Sequence, residues 1–245
     1  MDKLLYIAMT GARESSYAQS QTAHNLANAS SIAFKADLAQ FRSMPVYGPG
    51  LPSRVFAMAE QPGHRLTDGG STPTGRDLDV SIEGQGWMVT SGENGEELLT
   101  RRGDLKLDAN GSLTNGVGQV IMGEGGPIAI PPFEKLDISA DGTISIRPLG
   151  AQANETAIVD RIRLVNPDPK GLYKNSQGLF ASHDTDVFDD DINVKLQTGR
   201  LEKSNVSVVE ELSSMIQLSR QYEIQVKLMS SVKERGQALD RLLQP

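Results

Sequence analysis

The chain has 245 residues, enough for one large domain or two ordinary ones, with only 5% aromatic residues but 24 glycines and 12 prolines, a mix that favours many turns over a dense aromatic core. There is no cysteine, which excludes disulfides, cysteine metal sites and thiol chemistry. The net charge is −7, with the middle of the chain acidic and both ends slightly basic, and no basic stripe marks a nucleic-acid-binding face.

The opening, MDKLLYIAMTGARE, has an apolar run from Leu4 to Met9 that is too short for a secretory signal, and charges return at Arg13 and Glu14. No stretch approaches the roughly 18 apolar residues of a membrane span. Residues 2–30 hold no proline and predict a helix. Leu4, Ala8, Gly11, Ser15, Ala18, Thr22 and Asn25 alternate steps of four and three, a heptad seam of small residues. Such a seam buries little area but allows a second helix to approach closely.

The N-terminal helical segment is set at 1–35. Residues 36–75 read as an extended connector, because MPVYGPGLPS and QPGHRLTDGGSTPTG are dense in proline and glycine. Residues 76–190 read as an antiparallel β domain. DLDVSI, LKL and DRIRLV alternate apolar with polar residues, and LDISADGTISI predicts a hairpin with Asp141-Gly142 as a two-residue turn. A second connector covers 191–202.

The last segment, 203–245, is expected to be helical. Ser204 or Asn205 can cap its start, and Ser207 with Glu210 forms an equally good capping box. Val208, Leu212, Met215, Ser219, Tyr222, Val226 and Met229 repeat the four-three alternation, widened by Val209, Ile216, Leu218 and Leu228. The fold class read from this pattern is α+β: long N- and C-terminal helices pairing in a coiled-coil-like bundle, within or between chains, around a central antiparallel β domain.

Sites for chemistry are not evident. His24, His64 and His183 fall in three segments with no metal-ligand spacing. DTDVFDDD (184–191) departs from a calcium loop at Phe188, at Asp189 and at Lys195, and reads as a solvated acidic loop. GQGWMV and GVGQVI lack the third glycine of a dinucleotide loop, and Ser230–Lys233 has no companion motif. No enzyme activity, metal or cofactor is expected.

The segment AHNLANASSIAFKA (23–36) places two asparagines, Asn25 and Asn28, where the helix ends. One reading is a frayed helix end capped by polar residues. The sharper one is that an amide in a helix–helix seam fixes register and partner.

NLANASSIAFK resembles the N-terminal signature of the flagellar rod and hook proteins: Asn-Asn-Leu-Ala-Asn, then Thr-x-Gly-Phe-Lys. Asn25, Leu26, Ala27, Asn28, Phe34 and Lys35 match, while His24, Ser31 and Ala33 depart from it. The C-terminal GRLEKSNVSVVEELSSMIQLSRQYEIQVKLM resembles the paired signature through Leu201-Glu202, Ser204-Asn205-Val206, Met215-Ile216, Arg220, Tyr222-Glu223 and Lys227. TGRDLDVSIEGQGWMV, LTRRGDLKLDANGSLTN and ADGTISI resemble the β domain of the same family. Length and opening are most like proximal-rod members, with distal-rod members as the nearest alternative and a soluble coiled-coil binding module as the non-flagellar one.

The resemblance implies a structural subunit of the basal-body rod, a helical drive shaft carrying torque to the hook. Its partners would be other copies of itself, other rod proteins and the flagellar type III export apparatus, with no nucleic acid, no membrane span and no cofactor. It also implies export without a cleaved signal and a place in the periplasmic part of the basal body. The helices would form inner rod layers and the β domain an outer one. On the N-terminal side the expected assembly residues are Leu4, Ala8, Gly11, Asn25, Leu26, Asn28 and Phe34. On the C-terminal side they are Leu201, Asn205, Leu212, Met215, Ile216, Arg220, Tyr222, Val226 and Met229.

Overall fold

A computed structural model describes residues 2–45, 55–92, 95–150, 152, 155–183 and 187–242. Two long helices and a β-rich middle make the fold α+β. Helix α1 spans Asp2–Ala27 and α2 spans Val208–Leu242. Helix α2 starts directly after Ser207, whose hydroxyl accepts from the Glu210 amide at 3.4 Å, so the cap is the capping-box serine and not Ser204 or Asn205.

The chain divides into two compact units. The first comprises Met1–Ala29, Ala36–Arg65 and Val206–Pro245. In it α1 packs on α2 and on the strand Val55–Glu60, which pairs antiparallel with Gln40–Pro45. Part of the stretch read as an irregular connector is therefore a β pair; its proline-rich 46–54 lies outside the described residues. Glu14 anchors the pair to α1 by accepting from the Ala59 amide at 2.9 Å. That amide, with Arg13, holds the Glu14 carboxyl below its ordinary value.

The second unit comprises Ser30–Lys35 and Leu66–Asn205. A five-stranded antiparallel sheet runs in the order Leu164–Val165, Trp87–Ser91, Glu97–Thr100, Phe180–Ser182, Leu172–Lys174. A three-stranded sheet joins Phe133–Ile138, Thr143–Pro148 and Ala157–Arg161. Shorter pairs include Lys195–Thr198 with Val80–Glu83, and Arg200–Glu202 with Ser71–Pro73. Part of the expected second connector, 191–202, is thus strand.

One large core holds Val80, Met88, Leu105, Leu113, Ile121, Ile128, Ile144 and Ile162, all fully buried or nearly so. A second gathers Trp87, Val89, Leu99, Val165, Phe180 and Phe188. The expected hairpin is present, with Ile138 opposite Ile144. Its turn is longer than two residues: Ser139 donates to the Thr143 carbonyl, Gly142 donates to the Ser139 carbonyl, and Gly142 is left-handed at φ 87°. DRIRLV is split between two strands, because its ends lie in Ala157–Arg161 and Leu164–Val165. Of the acidic loop, 184–186 lies outside the described residues, as does 243–245. In its described part Phe188 is a core residue and Asp190 pairs with Arg163 at 3.0 Å.

Candidate functional site

The α1 seam is the first feature to place. Ala8, Ser15, Ala18, Thr22 and Asn25 are buried. At Gly11 an added Cβ would stand 3.0 Å from the end of the Gln225 side chain of α2, which would have to shift slightly to make room. Leu4, the first seam position by spacing, is exposed.

Asn25 uses its whole amide. Nδ2 donates to the Asp37 carbonyl at 2.9 Å and to Glu211 Oε1 at 3.1 Å, while Oδ1 accepts from the Asp37 amide at 2.9 Å. The side chain pairs with the Asp37 backbone as a neighbouring strand would. Its polar groups are thus satisfied within the chain. Asn28 behaves differently: its Nδ2 donates to the His24 carbonyl at 3.0 Å, closing the helix end.

Asp37 also gathers two residues that the sequence keeps 40 positions apart, His24 and His64. Its carboxylate oxygens lie 3.0 Å from His24 Nδ1 and 2.7 Å from His64 Nδ1. Both imidazoles make this contact with the carboxylate itself, and among the described residues no group of three such side chains is arranged to hold a metal ion.

The second unit contains an ionic cluster that spacing alone did not reveal. Lys35, whose side chain is 0% exposed, reaches Glu202 Oε1 at 2.8 Å and the Thr67 carbonyl at 2.9 Å. Arg101 Nε donates to Glu202 Oε2 at 2.8 Å, and its other nitrogens reach the Gly84 and Gly86 carbonyls and Asp68. The Gly69 amide adds a bond to Glu202 at 3.0 Å. Burial pushes the Glu202 carboxyl up, but the Arg101 and Lys35 charges and these hydrogen bonds outweigh it and hold it below its ordinary value. Burial, helped by Arg101, holds the Lys35 ammonium below the lysine range despite Glu202 and Asp68.

Neighbouring residues close round this cluster. Asn205 donates from its backbone to the Phe34 carbonyl at 3.1 Å and from Nδ2 to the Thr67 carbonyl at 2.9 Å. The Lys174 ammonium lies 4.0 Å from the Phe34 ring centre. Leu201 pairs with Thr72. Ala33, whose amide donates to the Glu202 carbonyl, is the only described non-glycine residue with positive φ, at 53°. Phe34-Lys35 and Leu201-Glu202-Asn205 therefore meet as one clasp inside this unit.

Large apolar side chains remain exposed on the helices. Tyr6 and Met9 stand out on α1; Val209, Leu212 and Ile216 form an i, i+3, i+7 stripe on α2, with Val209 74% and Ile216 55% exposed. Tyr222, Ile224 and Val226 are exposed further along. Met215, Leu218, Gln225, Met229 and Val232 are half-buried instead. The inward line on α2 thus runs one residue earlier than the predicted seam at 218 and 225, because two apolar lines share this helix and spacing alone does not choose between them.

Comparison with known proteins adds the decisive observation. Residues 197–242 match the family model described as flagellar basal body rod FlgEFG protein C-terminal, and residues 81–146 that of the flagellar hook protein FlgE/F/G D1 domain. The flagellar basal-body rod protein FlgF of Escherichia coli is 38% identical, with 99% of each chain covered. The chain belongs to the flagellar rod and hook protein family. Its FlgF relative in Salmonella typhimurium is 36% identical over 99% of both chains, and a basal-body rod protein FlgG of Buchnera aphidicola is 28% identical over 97% of this chain and 98% of its own. The similarity to FlgF proteins makes this a FlgF-like structural subunit of the flagellar rod.

The expected assembly residues fall into four groups. Ala8, Gly11 and Asn25 line the α1 seam; Phe34, Leu201 and Asn205 belong to the clasp; Leu4, Leu212, Ile216, Arg220, Tyr222 and Val226 are exposed. Leu26, Asn28, Met215 and Met229 are half-buried. Arg101, Asp68 and Lys174 were missed. Arg101 stands in the LTRRGDL motif, but nothing in its spacing shows that it turns inward.

Proposed function

We propose that this chain is a subunit of the proximal rod, joining copies of itself and other rod proteins in the helical shaft that carries torque to the hook. Support comes from the exposed apolar stripe Val209–Leu212–Ile216 on α2 in a family whose members are rod and hook subunits. Contacts made by such a stripe on different surfaces of successive copies do not close on themselves and so build an open helix. The two helices supply the inner layers of the shaft and residues 76–190 the outward part, with no enzyme activity. The chain travels through the flagellar export apparatus and works in the periplasmic section of the basal body.

The test is Leu212→Asp in a strain lacking the gene. A carboxylate in a buried contact costs several kcal/mol. The variant protein should be soluble and folded by circular dichroism, yet absent from isolated basal bodies, and the cells should lack filaments. Normal incorporation would remove α2's stripe from the assembly surface. Mapping rod protein order in basal bodies by residue-specific cross-linking separates proximal from distal placement.

A further inference from the structure

Two Asn-Gly pairs stand five residues apart in the β unit, Asn110–Gly111 and Asn115–Gly116, and the fold treats them in opposite ways. Asn115 is fully buried. Its Oδ1 accepts from the Val117 amide at 3.2 Å and the Gln119 amide at 3.0 Å, and its Nδ2 donates to Gln119 Oε1 at 2.6 Å. Asn110 is exposed at the tip of the turn joining Lys106–Leu107 to Leu113–Thr114. The Asp108 carboxylate fixes the backbone amides of Asn110 and Ser112, leaving the Asn110 carboxamide without a hydrogen bond among the described residues. Glycine follows it at φ +83° with no side chain over the next backbone nitrogen, whose N–H is held by one hydrogen bond, to the Asp108 carbonyl at 3.2 Å, that must open before attack.

We propose that Asn110–Gly111 is a site of spontaneous deamidation and that Asn115–Gly116 is protected from it. The Gly111 backbone nitrogen loses its proton to hydroxide and bonds to Asn110 Cγ. The Cγ–Nδ2 bond breaks, and the nitrogen leaves as ammonia with a proton from water. Water then opens the five-membered imide at either carbonyl, giving aspartate or isoaspartate. For Asn115 the same attack must first break three hydrogen bonds and rotate a side chain that has no room to turn.

The product has a local consequence. The Gly111 carbonyl accepts from the Ile130 amide at 2.8 Å, and Ser112 bridges Ala129. Isoaspartate inserts a methylene into the main chain beside both bonds, and either product adds a negative charge to an already acidic region.

The experiment ages the folded full-length protein at mildly alkaline pH and follows each asparagine by fragment-ion mass spectrometry, with isoaspartyl methyltransferase labelling as a second readout. Conversion at Asn110 should run at least about tenfold faster than at Asn115, a factor that retained side-chain hydrogen bonds readily supply. In urea-unfolded protein the two sites should react at similar rates. Gln119→Leu should raise the Asn115 rate in protein shown to be folded by circular dichroism, and Asn110→Gln should abolish the early product. Equal rates in the folded protein, or a faster Asn115, would overturn the proposal.

Discussion

Both units bury polar groups, but they differ in the apolar residues they hide. The β unit hides isoleucine, leucine, valine, methionine, phenylalanine and tryptophan in two clusters. The helical unit hides Ala8, Ala12, Ala18 and Ala36 together with Glu14, Ser15, Thr22, Asn25 and Asp37, while Tyr6, Met9, Val209 and Ile216 stay exposed. At about 25 cal/mol per Å² of apolar surface, alanines and polar groups return little on burial. The β unit is expected to be the more stable of the two, and the exposed stripe of the helical unit is the surface that the proposed rod assembly would cover. The helical unit's interior is held by hydrogen bonds and close approach, and its largest apolar groups are left exposed.

Mutations that strike the two kinds of interior differently sharpen this contrast. The largest effect is expected for Lys35→Met, which takes one of two cations from the buried Glu202 carboxylate, leaves its Oε1 with the Gly69 amide alone, and should destabilise the β unit by about 3–5 kcal/mol. Adding Glu202→Gln should recover part of that loss, measured by urea unfolding. Acid should act on the same group. Because the folded carboxyl lies below its ordinary 4.5, the stabilisation is full above that pH and is lost as pH falls through the folded value, and Glu202→Gln should flatten this acid limb of melting temperature against pH.

Next is Leu99→Ala in the β core, expected to cost about 2–4 kcal/mol, whereas Leu212→Ala on α2 should stay within about 0.5 kcal/mol in the free protein. Similar losses from both in parallel urea titrations would erase the distinction between the units. Asn25→Leu should come third. It strips partners from the buried Asp37 amide and carbonyl, so the helical unit should lose about 2–3 kcal/mol and its amides should exchange faster with deuterium. The smallest effect is a gain: Ala33→Gly relieves a left-handed residue and should raise stability by about 1 kcal/mol, seen as a higher urea midpoint with unchanged slope.

The long helices, the β middle and the spacing of the α1 seam were legible because periodicity and caps are local signals. Gly11 and Ala18 lie where the four-three alternation puts them. The partner of Asn25 was not legible. An amide on a seam suggests a facing helix, whereas most of its bonds go to the backbone at Asp37, a contact made by the chain's path after the helix. The ionic clasp was hidden for a similar reason: Lys35, Arg101 and Glu202 are far apart in sequence, and nothing local distinguishes an inward arginine from the adjacent Arg102. The Val55–Glu60 strand was lost to the proline and glycine beside it. Ala33 carried a usable sign, since it replaces the glycine of the family signature at a position whose backbone is left-handed.

The clasp also dictates where this molecule can be cut. Residues 30–35 belong with 66–205 although 30 residues separate them in the chain, so a β fragment begun at residue 66 keeps Arg101 but lacks Lys35, the second cation on Glu202. A short peptide carrying Ala33, Phe34 and Lys35 becomes, for such a fragment, a missing piece that can be returned from outside. The contact between the Phe34 carbonyl and the Asn205 amide marks a second option, a permuted chain in which a brief loop leads from 205 back to 30 and the β unit is made continuous without either helix.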